Sequence, residues 1–593
     1  MRLQRLVLLL AIASVVGLSL VLLHRPTRSI PNIPSPAPFE RDPPQDYQNL
    51  LSSLSDHPIS KLITDAESQF HDVVSHQSTT LAEAVQEYRR RYHMSPPPNF
   101  DKWFEFAQAR GVRLIDEYDT IYHSLLPFWG LEPRTVRQRA REAMGFDNAV
   151  IGLLIRDGKV TKIEGGGDGR KWQREATVGM MKDFIKYLPD MDLVFNTHDE
   201  PRVVVPSDDL QRLVSQATDK NIPAAFENTS PYNAWSERPA DLSSGQRINE
   251  VRTTRFNRFA HQPTWTHSRS SCPVDSPARS LDEQAPDNVT AYAYSDLGFI
   301  YNTTAFSDIC FSPSLRNTFG FFDRPNAFDV VHDLFPVFSQ SKISSFQDIL
   351  YPSPWYWNGK VAYEEDKDLD WAAKKDTMYW RGSTTGGFSR DGGWRRQHRQ
   401  LFVKKVNGLD NAKILEKGDD GESWEPSEIS RRDYKNSFDV KFTYVGQCDP
   451  DDCAAQQEFF NVVDAVGQQD AWAYRYLVDI DGNAFSGRYY AFLHSNSLVM
   501  KLALFREWHD EWIKPWVHYV PLSMHGDEYV EIVRYFDSER EGQTLGPRLA
   551  KQGKDWASKA LRNEDLEVWF FRLLLEYGRV IDDNRDKIGY SVP

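Results

Sequence analysis

Tyr474-Arg-Tyr-Leu-Val-Asp-Ile-Asp-Gly-Asn-Ala-Phe-Ser-Gly-Arg-Tyr-Tyr-Ala-Phe-Leu-His494 is the stretch on which the reading of the fold turns. Its first eight residues, through Asp481, form a mostly apolar run of the kind found in a buried strand. Small residues follow (Gly482, Asn483, Ala484, Phe485, Ser486, Gly487), and a helical pattern starts near Arg488. A loop of small residues feeding a helix N-terminus presents unpaired N–H groups and the positive end of a dipole, which suits an anion. Arg488 adds a bidentate phosphate donor. An ordinary strand–helix turn with an exposed arginine reads equally well from spacing alone. The loop fits neither the GxGxxG nor the Walker pattern, so neither a dinucleotide cofactor nor a P-loop is expected.

Working outward, two more passages share this strand–loop–helix form. Residues 172–188 place Val178, Met181, Ile185 and Leu188 on one helical face, and Pro189 ends the helix. Leu193-Val194-Phe195 reads as the next strand, running into Asn196-Thr197-His198-Asp199-Glu200-Pro201. In open α/β sheets, functional groups lie beyond the carboxyl ends of strands, which is where Asp199 falls. The competing reading is a turn in which Asp199 caps loop amides. Tyr379-Trp-Arg-Gly-Ser-Thr-Thr-Gly-Gly387 precedes Arg390 and the basic run Trp394–Lys405, which suits either phosphate binding or a solvated helix face. Strand-like runs alternating with helical ones argue for an α/β architecture with parallel sheets.

Composition bounds the rest. Against 84 Asp and Glu the chain sets 70 Lys and Arg, for a net charge of −14, which argues against a nucleic-acid binder. An apolar fraction of 40% with 17 Trp excludes a largely disordered chain of 593 residues. Four Cys allow at most two bridges, Cys272/Cys310 and Cys448/Cys453, with four buried thiols as the alternative. The absence of CxxC, HExxH or a His/Cys cluster leads us to expect no structural or catalytic zinc site.

Leu6–Leu23 is uncharged over 18 residues, with Arg2 and Arg5 before it. At about 1.5 Å per residue it spans roughly the hydrocarbon thickness. An uncleaved signal-anchor with a cytoplasmic tail (1–5) is expected, in a single-pass type II topology, with a cleaved signal peptide as the alternative. The sequons at Asn228, Asn288 and Asn302 agree with a lumenal side. A Golgi or other secretory-pathway membrane is the expected location. The remaining boundaries are a Pro-rich and helical stem (24–99), an α/β domain with an insert (100–365) and a second α/β domain (366–593).

Five blocks in fixed order resemble the capsule-associated-protein (CAP) type of glycosyltransferase, family ninety, which includes protein O-glucosyltransferases and fungal xylosyltransferases. They are NTHDEP at 196–201, FSQSKISSFQDILYPSPW at 338–355, YWRGSTTGG at 379–387, DIDGNAFSGRYYAFLHSNSLVMK at 479–501 and WIKPWVHYVPL at 512–522. The resemblance implies two Rossmann-like domains facing a cleft, GT-B-like, and inverting transfer of xylose or glucose from a UDP-sugar to a glycan or glycoprotein hydroxyl. It implies neither metal nor cofactor, with Asp199 as general base. Donor contacts fall on Arg381, Gly382, Ser383, Arg390 and the run Asn483, Ala484, Phe485, Ser486, Gly487, Arg488. Arg390 is displaced by one residue relative to the family pattern. Two alternatives stand beside this reading: an inactive carbohydrate-binding member, and a metal-dependent transferase using Asp479 and Asp481.

Overall fold

The computed structural model describes residues 57–592, except 247–250, 260 and 422. Two five-stranded sheets organise it. The first holds β1 (Val150–Arg156), β2 (Lys159–Gly165), β3 (Met191–Asn196), β4 (Val337–Ser339) and β5 (Ile349–Leu350), in the order β2-β1-β3-β4-β5. The second holds β6 (Lys375–Ser383), β7 (Phe438–Tyr444), β8 (Tyr474–Ile480), β9 (Leu498–Leu502) and β10 (Val520–Pro521), in the order β7-β6-β8-β9-β10. In β1 and β3 every residue is buried, whereas β2 alternates between exposed and half-buried, as an edge strand with one covered face must.

The second sheet is parallel throughout, with Trp380 opposite Val440, Met378 opposite Tyr476 and Leu477 opposite Val499. The first sheet is mixed, which departs from the expected parallel architecture. β1 runs antiparallel to both β2 and β3, and only β3, β4 and β5 are parallel. The cause is local. Asp157 and Gly158, with φ of 50° and 68°, make a two-residue turn whose twist folds β1 straight back into β2.

Three apolar cores hold the molecule. In the first, Leu193, Val194 and Phe195 of β3 share one cluster with Leu566, Trp569, Phe570, Phe571 and Leu574 of the Asn563–Val580 helix. Phe184 stacks on Phe571 at 4.6 Å. Burying each such side chain contributes about 1.5–3 kcal/mol, so this last helix is a main support of the first sheet. In the second core, β6–β10 side chains pack with Ile59, Leu62 and Ile63 of the Pro58–Ser75 helix. His57 anchors the start of that helix: its Nδ1 accepts from Ile59 N–H, and its Nε2 lies 2.8 Å from Glu531 Oε1. The third core gathers Phe306, Phe319, Phe321, Phe328 and Phe346 around Cys272. Disulfides join Cys272 to Cys310 and Cys448 to Cys453.

The expected fold class needs one correction. Among the described residues no helix is long and apolar enough to cross a membrane, so the described structure is α/β with several sheets and no transmembrane helix. Leu6–Leu23, together with the tail and the Pro-rich run, lies outside the described residues.

Candidate functional site

The order β7-β6-β8-β9-β10 reverses direction between β6 and β8. The chain leaves the two strands toward opposite edges of the sheet, and in such sheets the space beyond the carboxyl ends at this point is the usual ligand position. The loops that enter it are Ser383–Gly387 after β6 and Asp481–Gly487 after β8, both expected at the donor site. A lattice of hydrogen bonds ties them together. Gly386 N–H donates to Asn483 Oδ1 at 3.2 Å. Gly386 has φ of +111°, which favours glycine, and a side chain at Gly387 would meet Gly320 Cα at 2.9 Å.

Arg399 braces both loops from beneath. Its Nε donates to Asp481 C=O at 2.8 Å and its Nη2 to Ile480 C=O at 3.2 Å. Its Nη1 reaches Ser383 C=O at 3.2 Å and Thr385 Oγ1 at 2.9 Å. Burial pulls its pKa down to about 9, so it is still charged at neutral pH. Neighbouring His398 gives Nε2 to Asp481 C=O at 2.8 Å and is kept neutral by burial, with its pKa pushed down to about 3. The basic run is therefore not a wholly solvated face: His398, Arg399 and Gln400 turn inward.

Arg488 is half-buried at the start of the Tyr489–His494 helix. One guanidinium nitrogen donates to Arg381 C=O at 2.6 Å, and among the described residues its other donors have no hydrogen-bond partner. Burial lowers its pKa, opposed by the charge of Asp479. Arg381 is committed elsewhere, in a two-oxygen pair with Asp439 at 2.8 Å. Arg390 is exposed and paired with Asp449 at 2.6 Å. The Gly482–Gly487 loop is clamped from the segment that follows β5: Tyr356 Oη donates to Ser486 C=O at 2.8 Å, and Trp355 Nε1 to Gly487 C=O at 3.1 Å.

Asp479 and Asp481 are buried and engaged. Asp479 Oδ2 lies 3.3 Å from Lys501 Nζ, while Asp481 Oδ2 accepts the N–H groups of Leu504 and Phe505 at 2.6 and 3.0 Å. Burial pushes the Asp481 carboxyl up to about 7. Among the described residues no group of three or more His, Cys, Asp or Glu is arranged to hold a metal.

Asp199 stands past the end of β3. Asn196 shapes its loop: Nδ2 donates to Glu200 C=O at 2.8 Å and Oδ1 accepts from His198 N–H at 3.0 Å. Behind the loop, Asp348 accepts the N–H groups of Arg202 and Val203, and Arg202 is ion-paired with Asp329 at 2.7 Å. Asp199 itself is exposed and has no hydrogen-bond partner among the described residues. Solvent reaches it, yet the protein atoms crowded around it displace enough water to raise its pKa, with Arg170 pulling the other way. Glu200 differs. It is buried, accepts Ala327 N–H at 3.0 Å, and desolvation pushes it up to about 8. At neutral pH it holds its proton mainly because of burial.

Contacts connect the two loops. Gln173 Nε2 donates to Asn196 C=O at 3.0 Å. Next to it Trp172 meets Trp355 edge-on at 5.8 Å, and Trp355 holds Gly487. Trp172, Arg170 and Arg399 are absent from the sequence-derived site. The Gly165-Gly166-Gly167 turn before the Lys171–Met181 helix is a usable signal for the first two. As for the sequons, Asn228 Nδ2 donates to the Asp586 and Lys587 carbonyls. Asn288 Oδ1 accepts from Thr290, and Asn302 Oδ1 caps Ala305 N–H.

Residues 322–587 match the family described as glycosyl transferase family 90, a span that includes the Ser383–Gly387 and Asp481–Gly487 loops, Arg399 and Arg488. The chain thus carries a family 90 glycosyltransferase domain. Asp199 lies upstream of the matched residues, so its placement rests on geometry. Protein O-glucosyltransferase 1 of Rattus norvegicus is 24% identical over 308 residues, covering 47% of this chain and 67% of that protein. O-glucosyltransferase rumi of Drosophila melanogaster is 25% identical over 273 residues, 42% of this chain and 55% of that protein. The rumi homolog of Aedes aegypti is 25% identical over 269 residues, 42% and 56% respectively. The last two matches span little more than half of those relatives' own lengths.

Proposed function

We propose that the protein transfers a sugar from a UDP-sugar to a hydroxyl group of a glycan or glycoprotein, inverting the anomeric centre, without a metal ion. The observation that carries this reading is the pair of braced loops at the switch point, with the unpartnered donors of Arg488 beside them. A diphosphate seated there gains charge as it leaves, and Arg488 with the loop amides stabilises it. An acceptor hydroxyl is a weak nucleophile. Asp199 takes its proton as the oxygen attacks the anomeric carbon from the face opposite the leaving UDP. Xylose and glucose are the leading donors, the names of the relatives supporting glucose.

The metal-free form is supported by the surroundings of Asp479 and Asp481: one oxygen of each buried carboxylate is already engaged, by the Lys501 ammonium and by two backbone amides, and that ammonium beside Asp479 repels a cation. An active rather than merely sugar-binding protein is supported by the joint presence of Asp199, Ser383 and Arg488. The two disulfides support an oxidising compartment of the secretory pathway.

Calorimetric titration with UDP, with and without EDTA, tests the donor site, and hydrolysis of UDP-glucose and UDP-xylose tests the chemistry. Binding that survives EDTA and hydrolysis of at least one donor are expected. A strict Mn²⁺ requirement, or no affinity for UDP, refutes the reading.

A further inference from the structure

Sixteen of the chain's seventeen tryptophans belong to, or pack against, one of the three apolar cores; Trp172 does not. A half-buried indole has an apolar body and a polar edge, the combination that contact sites use. Its neighbourhood says which contact. Trp172 opens the helix whose Gln173 holds the Asp199 loop, and the charge of Arg170, two residues earlier, reaches both Asp199 and His198. On the other side Trp172 meets Trp355 at 5.8 Å and 81°, and Trp355 is bonded to Gly487 of the donor loop. Lys360 Nζ sits 4.8 Å from the Trp172 ring centroid, held there because Lys360 N–H donates to Trp355 C=O at 3.2 Å. The indole thus lies on the chain of contacts that joins the Asp199 loop to the Gly482–Gly487 loop.

We propose that Trp172, Trp355 and Lys360 form an acceptor subsite that seats a pyranose ring, so that the hydroxyl accepting the transferred sugar belongs to a glycan. This rests on the transferase reading above and narrows its acceptor. A pyranose has an apolar face of C–H groups and a rim of hydroxyls. The two edge-on indoles offer an apolar corner, and the Lys360 ammonium over the Trp172 ring offers a donor to the hydroxyls. A polypeptide acceptor taken up as an added strand needs an unpaired sheet edge. β3, which leads into the base loop, is paired on both sides by β1 and β4.

The test uses the full chain with whichever UDP-sugar it hydrolyses. The acceptors are methyl glucoside, galactoside, mannoside and xyloside, with a serine-containing peptide for comparison. The parent is expected to glycosylate at least one methyl pyranoside. Trp172→Ala should raise the KM for that pyranoside tenfold or more with a much smaller change in kcat, Trp172→Tyr should restore most of it, and UDP affinity should stay within twofold. An unchanged KM in Trp172→Ala overturns the subsite, as does a parent that transfers only to the peptide. A parallel loss of UDP affinity also overturns it, since that marks a structural role. If the parent neither binds UDP nor hydrolyses a UDP-sugar, the transferase reading fails and the subsite with it. If it does both and transfer ignores Trp172, the subsite alone fails.

Discussion

Replacing Asp199 by Asn separates a catalytic carboxylate from a structural one. The side chain has no hydrogen-bond partner among the described residues, so the amide leaves no donor or acceptor stranded, and Asn196 still holds the loop. What disappears is the proton acceptor. Turnover should fall by about 10²–10⁴, equivalent to about 2.7–5.4 kcal/mol on the barrier, with UDP affinity little changed. The stability effect has the opposite sign. Desolvation raises the folded-state pKa of Asp199 above its unfolded value. The stability linked to its protonation is therefore present below the ordinary carboxylate range and is lost as pH rises through the raised value. Asn stays neutral at all pH, so at neutral pH Asp199→Asn should melt no lower than the parent. In the parent, activity should fall as acid protonates Asp199, with the limb above the ordinary carboxylate range. Glu200→Gln is the contrast: burial already keeps that carboxyl protonated at neutral pH, with a pKa of about 8, so turnover should change far less. Steady-state kinetics against pH, calorimetry with UDP and thermal melts provide the readouts. Near-normal turnover in Asp199→Asn, or a marked drop in its melting temperature, refutes the reasoning.

Arg488→Ala should weaken UDP binding and slow transfer together, by about 1.5–3 kcal/mol or roughly ten- to a hundredfold, with Arg488→Lys recovering only part; calorimetry and initial rates check it. Arg399→Met removes four hydrogen bonds that hold both donor loops, and should cost on the order of 10²-fold in turnover through misplacement of the donor, as single-turnover rates would report. Opening the Cys272–Cys310 bridge, whose partners are 38 residues apart, should cost about 4 kcal/mol on the loop-entropy scale. On the same scale the Cys448–Cys453 bridge, with a separation of 5, should cost about 2 kcal/mol, the contrast being read by denaturant unfolding of the Ser variants.

The second sheet is legible because its inner strands β8 and β9 are buried on both faces over most of their length. Tyr474–Ile480 and the start of the Gly482 loop can be read directly, and the ligand position follows from strand order. Asp199 is legible as a residue just past a strand end. The first sheet is harder. Its antiparallel pair depends on Asp157-Gly158, a short turn signal beside a β2 whose Lys-Val-Thr-Lys-Ile-Glu-Gly carries little apolar weight. Arg399 is hidden for a different reason: in Trp394–Lys405 many residues are polar or basic, and pattern alone does not say which guanidinium turns inward. Trp172 looks like one more core aromatic until the three-dimensional cores are complete and it belongs to none of them.

The Asn563–Val580 helix follows the second sheet in the chain, yet lies in one core with β3 of the first. A segment made after the whole of the second sheet therefore completes the part begun before it. The first sheet cannot finish its core during synthesis, and a nascent chain stopped short of residue 563 would hold β3 with an uncovered apolar face. Chaperone occupancy of chains truncated just before that helix should accordingly be high. Dividing the gene between the sheets should yield two fragments that each aggregate alone, and that regain solubility only when produced together.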